Sequence, residues 1–391
     1  MNSKSTEQPL RLLMVSEPGI DGVFSIVNAV IRKILADHPE ILVDLAYSSR
    51  RSGPELLCLI REIEDHGGRT IDLHVGNAPC LGDFRALAKL VLFTRERGHQ
   101  LVHAHSSKAG GLTRIARFLL PFFPSVFYTP HAYYGMARLG NPKEAFFDLI
   151  ESLLGRIGLT ICTSEDERDF AVKRLHIPRS QVTVIDNGID TALFAPGDKE
   201  EKARARATLH LPPEGKLLVA IGRDSRQKNY GPLYSVLDTL LPSGGWSFAH
   251  AGAGSSLLRS GLSPEAARHC HAFEHLGDIP SFLRAADGYV MTSLYEGLSL
   301  AMTEALSTGL PMFLTDAPGF RFLRELGFTR INWLADPEDP AELRKTLEEA
   351  LRAWAKEPPE ILPAQRELAC RLFSQDVQIE KLIDLYEDPR A

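Results

Sequence analysis

The sequence predicts an α/β protein built from two doubly wound domains, and three observations support this. Short apolar runs typical of buried parallel strands alternate with helical patterns along most of the chain. Several of these runs end in a polar turn that contains glycine, as at Gly222. The length of 391 residues, of which 44% are hydrophobic, is sufficient for two hydrophobic cores.

The charge of the chain excludes one class of partner. A net charge of −6 argues against a general nucleic-acid binder, which needs clustered cations to contact phosphates. Residues 1–185 carry 22 Lys+Arg and 20 Asp+Glu, which leaves 22 and 30 for the remaining residues. This asymmetry permits the first half to face an anionic membrane or a phosphate-bearing acceptor, and scattered surface charge explains it equally well.

The cysteines and the apolar runs predict the compartment. The five cysteines lie far apart without the spacing of a metal site, and we expect reduced structural thiols. The N-terminus is polar and unlike a signal peptide, and the longest apolar run is too short to span a bilayer. We therefore expect a cytoplasmic protein.

The chain opens with a βα unit. The run from Leu10 to Val15 predicts a strand, and a helical pattern follows a turn that contains Gly19 and Gly22. The turn lacks the G-x-G-x-x-G pattern, which disfavours a dinucleotide-binding domain of the dehydrogenase kind.

Two later strands of the first half end in histidine. One runs from Leu101 to His105 and is followed by Lys108 in a glycine-containing turn. His103 and His105 alternate on this strand without a third ligand nearby, so we expect no metal site. The next strand presents His131 at its carboxyl end, where open α/β sheets bind ligands.

Two charged segments of the first half have structural interpretations. A basic helix is predicted around residues 84–97, with Asp83 and Glu96 among its cations. We expect a solvated surface helix there, and a membrane-facing helix is the alternative. The acidic run from Glu165 to Asp169 is interpreted as a capping box and as a complement to the helix dipole.

The second half repeats the pattern of strand, glycine turn and polar cluster. Arg223 and Lys228 follow the strand that ends before Gly222, where an anion would meet both cations. Further along, a turn at Glu296 leads to Ser299, a predicted helix N-cap. A strand that delivers a helix N-terminus at its carboxyl edge forms an anion site.

Glu296 and Glu304 are predicted to flank that anion site. They would lie roughly 10 Å apart at ~1.5 Å per helical residue, a span suited to the hydroxyls at either end of a nucleotide sugar. The alternative is a turn residue and a solvated helix face. Gly309 and then Pro311 end the predicted helix.

The string E-G-L-S-L-A-M-T-E-A-L-S-T-G, which starts at Glu296, resembles the donor-site signature of the retaining glycosyltransferases of family 4. The string H-A-H-S-S-K-A-G-G, which starts at His103, resembles the acceptor-domain signature of members that build bacterial polysaccharide repeat units, such as those of O-antigen and capsule. The stretch from Val182 to Pro196 is similar to the interdomain hinge of the family.

The resemblance implies the GT-B fold, in which two Rossmann-like domains face one another across a cleft. We expect an acceptor-binding domain at residues 1–187, a nucleotide-sugar-binding domain at 188–365, and a C-terminal helix at 366–391 that packs back on the first domain.

The resemblance also implies a reaction. A hexose-type sugar would pass from a nucleotide-diphosphate sugar, with UDP favoured and GDP the alternative, to a glycan or polyprenyl-linked glycan in cell-surface polysaccharide synthesis. The anomeric configuration would be retained, no metal or other cofactor would be required, and peripheral contact with the inner membrane is a further expectation. The alternatives are a GT-B nucleotide-sugar epimerase and a non-catalytic nucleotide-sugar-binding subunit.

Residue roles follow from the resemblance. His131 and Glu296 are expected to be catalytic, and Arg223 and Lys228 to hold the donor diphosphate. Glu304 is expected to hold the ribose. The other expected donor-binding residues are Gly22, Gly277, Ile279, Gly297, Leu298 and Ser299. The expected acceptor-side residues are His105 and Lys108.

Overall fold

The computed structural model describes residues 9–19, 21–76, 79–137, 140–243, 245–328, 330–357 and 362–388. The chain divides into two compact units. The first contains the residues up to Asn187 together with those from Gln378 onward, and the second contains residues 188–377.

The first unit is built on a parallel sheet. Its strands in the described residues are β1 (Leu10–Ser16), β2 (Ile41–Tyr47), β3 (Thr70–Asp72), β4 (Leu101–His105), β5 (Ser125–Thr129), β6 (Leu159–Cys162) and β7 (Val182–Val184). They lie in the order β3-β2-β1-β4-β5-β6-β7, so the strand order reverses between β1 and β4. His105 pairs in register with Ser16 on one side and Thr129 on the other, which brings three strand ends to one edge.

Helices connect these strands. They are α1 (Asp21–Asp37), α2 (Pro54–Asp65), α3 (Gly82–Arg97), α4 (Ser107–Leu119), α5 (Pro142–Leu154) and α6 (Glu165–Asp169). A short π-helix at residues 170–174 continues α6. The start of α5 shows how the sequence sets a boundary: Asn141 accepts a hydrogen bond from the backbone N–H of Glu144, and Pro142 occupies the first helical position.

The second unit repeats the architecture. Its described strands are β8 (Lys216–Ile221), β9 (Trp246–Ala251), β10 (Cys270–Phe273), β11 (Gly288–Met291), β12 (Met312–Thr315) and β13 (Ile331–Leu334), in the parallel order β10-β9-β8-β11-β12-β13. Its helices are α7 (Lys199–Thr208), α8 (Tyr230–Leu240), α9 (Ser255–Ser260), α10 (Pro264–Arg268), α11 (Ile279–Ala285), α12 (Leu300–Ser307), α13 (Pro340–Lys356) and α14 (Pro363–Phe373).

Both faces of the second sheet are covered. Along β8, Leu217 and Val219 enter one buried cluster, whereas Leu218 and Ala220 enter another on the opposite face. Residues of α12 belong to the first cluster and residues of α13 to the second. Because a parallel sheet needs helices on both faces, this packing confirms the predicted doubly wound class.

The end of the chain returns to the first unit, but later than expected. The segment 366–391 was expected to form one returning helix; instead α14 ends at Phe373 within the second unit. The last helix, α15 (Gln375–Glu387), follows it, and residues from Gln378 onward belong to the first unit. There the hydroxyl of Tyr386 lies 2.6 Å from Nδ1 of His103. None of the helices within the described ranges is long and apolar enough to cross a membrane.

Candidate active site

The loop after β8 carries the two predicted cations. Gly222 has φ of +144°, and a Cβ on it would lie 2.9 Å from the Tyr230 hydroxyl and 3.1 Å from Cε of Lys228. Glycine is therefore required for the chain to leave the strand this close to the lysine. Arg223 is exposed at the start of the loop. Lys228 is half-buried at its end, where its backbone N–H donates to the carbonyl of Ser225.

The structure brings Lys228 and Glu296 into direct contact. Nζ of Lys228 lies 2.8 Å from Oε1 of Glu296, and the Glu296 side chain is almost fully buried. The same oxygen accepts a hydrogen bond of 2.7 Å from the Ser293 hydroxyl, while Oε2 accepts one of 3.2 Å from Nε2 of Gln227. The carboxylate is thus held by three donors, as a buried charge requires.

A tight backbone turn presents Glu296. Its N–H donates to the carbonyl of Pro318 at 2.9 Å. Gly319 has φ of +91°, and a Cβ there would lie only 2.3 Å from the Glu296 carbonyl oxygen. Two glycine positions, 222 and 319, therefore allow two loops to close around the ion pair. Sequence reasoning missed Ser293, Gln227 and Gly319; the position of Ser293 three residues before Glu296 is the one local signal among them.

The helix after this turn begins where the sequence predicts. Ser299 is the N-cap residue of α12, and its side chain makes no capping hydrogen bond. Leu298 and Ser299 are both buried. The N–H groups of a first helical turn have no partner within their own helix, and they point along the positive end of the helix dipole. Gly297 and Leu298 thus connect the ion pair directly to a potential anion site.

Glu304 differs from Glu296 in its surroundings. It lies in the second turn of α12, is half-buried, and makes no side-chain hydrogen bond to any described residue. Burial raises the pKa of its carboxyl group to about 7. Glu296 is therefore held by three protein donors, two on Oε1 and one on Oε2, which leaves Oε2 capacity for a further hydrogen bond, whereas both oxygens of Glu304 remain available to a ligand.

Gly277 and Ile279, two of the expected donor-binding residues, lie at the β10–α11 connection, where the resemblance implies that the backbone contacts the base. Gly277 is exposed, and a Cβ on it would meet no atom within 4 Å, so packing does not require glycine there. Ile279 is the first residue of α11, and Asp278 caps that helix by accepting from the N–H of Ser281 at 3.0 Å.

In the first unit, His105 and His131 form a pair at the carboxyl edge of the sheet. Nδ1 of His105 lies 3.0 Å from Nε2 of His131, so one ring donates an N–H and the other accepts it. Burial lowers the pKa of His131 to about 3 and holds the pKa of His105 well below its usual value, so both rings are neutral near pH 7. The other two ring nitrogens, Nε2 of His105 and Nδ1 of His131, have no hydrogen-bond partner among the described residues.

The backbone at His131 is in an unusual conformation. His131 has φ of +56° and the following Ala132 has φ of +88°, values that L-residues rarely adopt. The carboxylate of Glu167 fixes this turn: Oε1 accepts from the N–H of Ala132 at 2.5 Å, and Oε2 accepts from the N–H of Thr163 at 2.5 Å. Glu167 is completely buried. It therefore ties the turn that carries His131 to the end of β6.

This role corrects the interpretation of the acidic run as a capping box. The hydroxyl of Ser164 does cap α6 by accepting from the N–H of Glu167 at 3.2 Å. The carboxylate of Glu167 does not return to Ser164 in the reciprocal half of a capping box, because it is engaged with Ala132 and Thr163. Its spacing from Ser164 suits a capping box, and no residue near it in the chain indicates that it binds the turn at His131.

The remaining predicted residues of the first unit, Lys108 and Gly22, lie in the first turns of two helices. Lys108 lies in the first turn of α4, and its Nζ pairs with Asp83 at 2.6 Å. Gly22 is the second residue of α1 rather than a loop residue, and a Cβ on it would meet nothing within 4 Å. Packing thus does not require glycine at this position. Among the described residues, no group of three or more His, Cys, Asp or Glu side chains is placed to hold a metal ion.

Two family models match most of the chain. Residues 45–193 match Glycosyltransferase Family 4, and residues 215–353 match Glycosyl transferases group 1. Over 261 residues the chain is 29% identical to the UDP-Gal:alpha-D-GlcNAc-diphosphoundecaprenol alpha-1,3-galactosyltransferase of Escherichia coli, an alignment that covers 62% of this chain and 64% of that protein. Against the first four curated relatives, the chain spans between 41% and 64% of their length.

Solved structures share the fold. The sucrose-phosphate synthase of Thermosynechococcus elongatus matches with a TM-score of 0.74 at 20% identity over 97% of this chain and 98% of that one. HepE of Anabaena, in complex with UDP and glucose, matches with a TM-score of 0.75 at 17% identity over 97% of this chain and 99% of that one.

Proposed function

Because the chain belongs to glycosyltransferase family 4 and has the GT-B fold, we propose that it transfers a hexose-type sugar from a nucleoside-diphosphate sugar to an acceptor hydroxyl. The transfer retains the anomeric configuration. The observation that carries the proposal is the Lys228–Glu296 ion pair directly before the N-terminus of α12. In the second turn of that helix, the carboxylate of Glu304 has no hydrogen-bond partner among the described residues.

The donor diphosphate binds at the start of α12. Lys228 has three N–H donors, and its bond to Glu296 engages one of them. A carboxylate beside a diphosphate would repel it, and the shared ammonium offsets that repulsion. Arg223, exposed near the same loop, adds a second cation. These groups and the helix N-terminus stabilise the charge that grows on the leaving diphosphate, so the reaction proceeds without a metal or other cofactor.

The two glutamates bind the two sugar rings of the donor. Glu304 accepts hydrogen bonds from the ribose hydroxyls, since none of the described residues donates a hydrogen bond to its carboxylate. Glu296, held rigidly by Ser293 and Lys228, accepts a hydroxyl of the transferred sugar and stabilises positive charge on that ring in the transition state. The backbone at Gly277 and Ile279 contacts the base.

His131 contacts the reacting sugar from the acceptor domain. It is neutral, so it positions and polarises a hydroxyl rather than carrying a charge. His105 and Lys108 belong to the acceptor side. The acceptor is a glycan or polyprenyl-linked glycan of cell-surface polysaccharide or lipopolysaccharide synthesis, and the donor is a UDP-sugar. Two likenesses support this choice: an Escherichia coli relative named for UDP-Gal and a diphosphoundecaprenol, and a solved structure that holds UDP and glucose.

A thermal-shift panel tests the donor assignment. UDP, GDP and ADP, each alone and as its sugar conjugate, are added to the full chain; a ligand at 100 times its Kd stabilises by about 2.7 kcal/mol. UDP and a UDP-sugar should raise Tm, and Lys228→Ala should abolish the rise. If GDP stabilises the chain and UDP does not, the assignment of UDP as the nucleotide is wrong, and the proposed nucleotide-binding site is retained. Absence of stabilisation by every nucleotide would contradict the proposal.

A further inference from the structure

Exposed apolar side chains are concentrated on one part of the first unit. Eleven of the fourteen large hydrophobic side chains that are exposed among the described residues lie between positions 81 and 153. They are Leu81, Phe84, Leu92, Ile115, Phe118, Leu119, Phe122, Tyr134, Phe146, Leu149 and Leu153. The helices of this stretch are α3, α4 and α5.

These side chains form stripes. On α4, Ile115, Phe118 and Leu119 follow the i, i+3, i+4 spacing of a single helix face, and on α5 Phe146 and Leu149 are three residues apart. An amphipathic helix of a globular domain normally turns such a stripe toward the core. Here Phe118 is 71% exposed and Phe146 is 55% exposed, so both stripes face solvent.

The first of the three helices adds cations to its apolar face. Phe84, Leu92 and Arg95 fall within about 80° of arc around α3 at about 100° per residue. Phe84 is 72% exposed and Leu92 is 67% exposed. Arg85 and Lys89, about 20° and 60° beyond this arc, are exposed as well, and Nζ of Lys89 donates to the carbonyl of Asp72 at 3.3 Å. Long basic side chains placed beside apolar ones can reach a polar boundary while the apolar groups lie deeper.

The stripes belong to one surface. Helix α3 packs against α4, and α4 packs against α5. A groove of about 420 Å³ separates the end of α3 from the segment after α4, and Val91, Arg95 and Phe122 line it. We call the exposed apolar side chains of these three helices, together with Phe122, the apolar helix face. Monomeric proteins rarely leave an apolar patch of this extent uncovered.

The charge of this region is opposite to that of the whole protein. Residues 81–156 contain ten Lys and Arg against five Asp and Glu, whereas the net charge of the chain is −6. Two of these acids pair with two of these cations, Asp83 with Lys108 and Glu151 with Arg114, so the excess of five cations (10 − 5, or 8 − 3 without the pairs) is unchanged. The part of the chain that carries the apolar helix face therefore has a net positive charge.

We propose that the apolar helix face docks in the plane of an anionic phospholipid bilayer. Its aromatic and leucine side chains enter the acyl boundary, and Arg85, Lys89 and Arg95 contact lipid phosphates. The cation excess favours a bilayer over a second copy of the chain as the partner. A second copy would bring two positive surfaces together, whereas an anionic bilayer complements both the charge and the apolar side chains. The inference does not depend on the transfer reaction, because vesicle binding is measured without substrate.

Vesicle flotation tests this docking. The purified full chain is mixed with vesicles of phosphatidylcholine alone or with 30% phosphatidylglycerol. It should float with the anionic vesicles, and 0.5 M salt should weaken this binding because the charges become screened. The double variant Phe118→Glu/Phe122→Glu should lower the partition coefficient at least about tenfold. Arg85→Ala/Arg95→Ala should lower it about 25-fold, or about fivefold per charge.

Matched substitutions in the second unit serve as controls. Leu257 is 74% exposed and Arg344 is exposed, so Leu257→Glu and Arg344→Ala make the same kinds of change away from the apolar helix face. Both should float as the wild type does, and circular dichroism should show all variants folded. The proposal is overturned if the wild type does not float with anionic vesicles, or if the Phe118/Phe122 variant floats as the controls do. It is also overturned if the face instead forms a dimer in sedimentation velocity that the same variant abolishes.

Discussion

Nζ of Lys228 lies 2.8 Å from Oε1 of Glu296, although 68 positions separate the two residues in the chain. The pair joins the loop after β8 to the turn before α12, and the two neighbouring strands β8 and β11 bring those segments together. The proposed mechanism assigns Lys228 to the diphosphate and Glu296 to the transferred sugar. These two side chains are thus in direct contact in the protein.

The cations of the β8 loop should be needed for turnover. Lys228→Ala and Arg223→Ala should each lower kcat/KM about 100-fold, or about 2.7 kcal/mol, the scale of one lost transition-state donor. Arg226→Ala, an exposed arginine in the same loop, is the matched control and should retain activity. Full activity in both Lys228→Ala and Arg223→Ala would remove the proposed diphosphate clamp.

Glu304→Gln should mainly weaken donor binding. The ribose does not change during the reaction, so loss of this contact raises the donor KM, by about tenfold, and leaves kcat near the wild-type value. The pH dependence has a defined sign. Because burial raises the pKa of Glu304 to about 7, the acceptor carboxylate is lost as the pH falls through 7, and donor affinity should fall with it. Calorimetry between pH 6 and pH 8 should show this change in the wild type and a much flatter profile in Glu304→Gln.

Glu296→Gln should chiefly lower kcat, about 100-fold, because the carboxylate gains strength as positive charge develops on the sugar. Ser293→Ala removes the hydroxyl donor, one of the three protein donors to this carboxylate, and should give a smaller loss. Steady-state kinetics with varied donor and saturating acceptor separates the two effects. A raised KM with unchanged kcat in Glu296→Gln, together with the reverse in Glu304→Gln, would keep the site and exchange the two roles.

His131→Ala should impair turnover more than donor binding, since the histidine lies in the first unit, which we propose binds the acceptor. Because burial holds the pKa of His131 at about 3, the ring does not titrate near neutral pH. The wild-type rate should therefore show no ionisation assignable to His131 between pH 6 and pH 8. A collapse of donor affinity in calorimetry, with unchanged turnover per bound donor, would make the assignment wrong.

Glu167 should act through His131. Glu167→Gln places an amide N–H where a carboxylate oxygen now accepts from Ala132 or Thr163, which disturbs a turn that costs of order 1–3 kcal/mol to hold. We expect a kcat about tenfold lower with donor KM unchanged. In the His131→Ala background the same substitution should have little further effect on kcat. An equal loss in both backgrounds would leave Glu167 with a structural role alone.

Sequence patterns predicted the parts of this protein that depend on local structure. The strand, turn and helix that place Ser299 and Glu304 are set within twenty residues, and the N-cap at Ser299 is confirmed. Contacts across the sheet were not predictable, because nothing near Glu296 in the chain indicates Gln227 as its partner. The 3.6-residue periodicity of α4 did not predict that its apolar stripe faces solvent. Periodicity indicates which residues share a helix face, but it does not indicate what covers that face.

Proton NMR of the reaction tests the central claim most directly. The wild type is incubated with a UDP-hexose and a polyprenyl-linked glycan acceptor, and the anomeric proton of the transferred sugar is followed. We predict acceptor-dependent release of UDP and a product with the anomeric configuration of the donor, about 100-fold slower in Lys228→Ala. An inverted anomeric centre, or acceptor-independent conversion of the UDP-hexose into its epimer, would contradict the proposed retaining transfer.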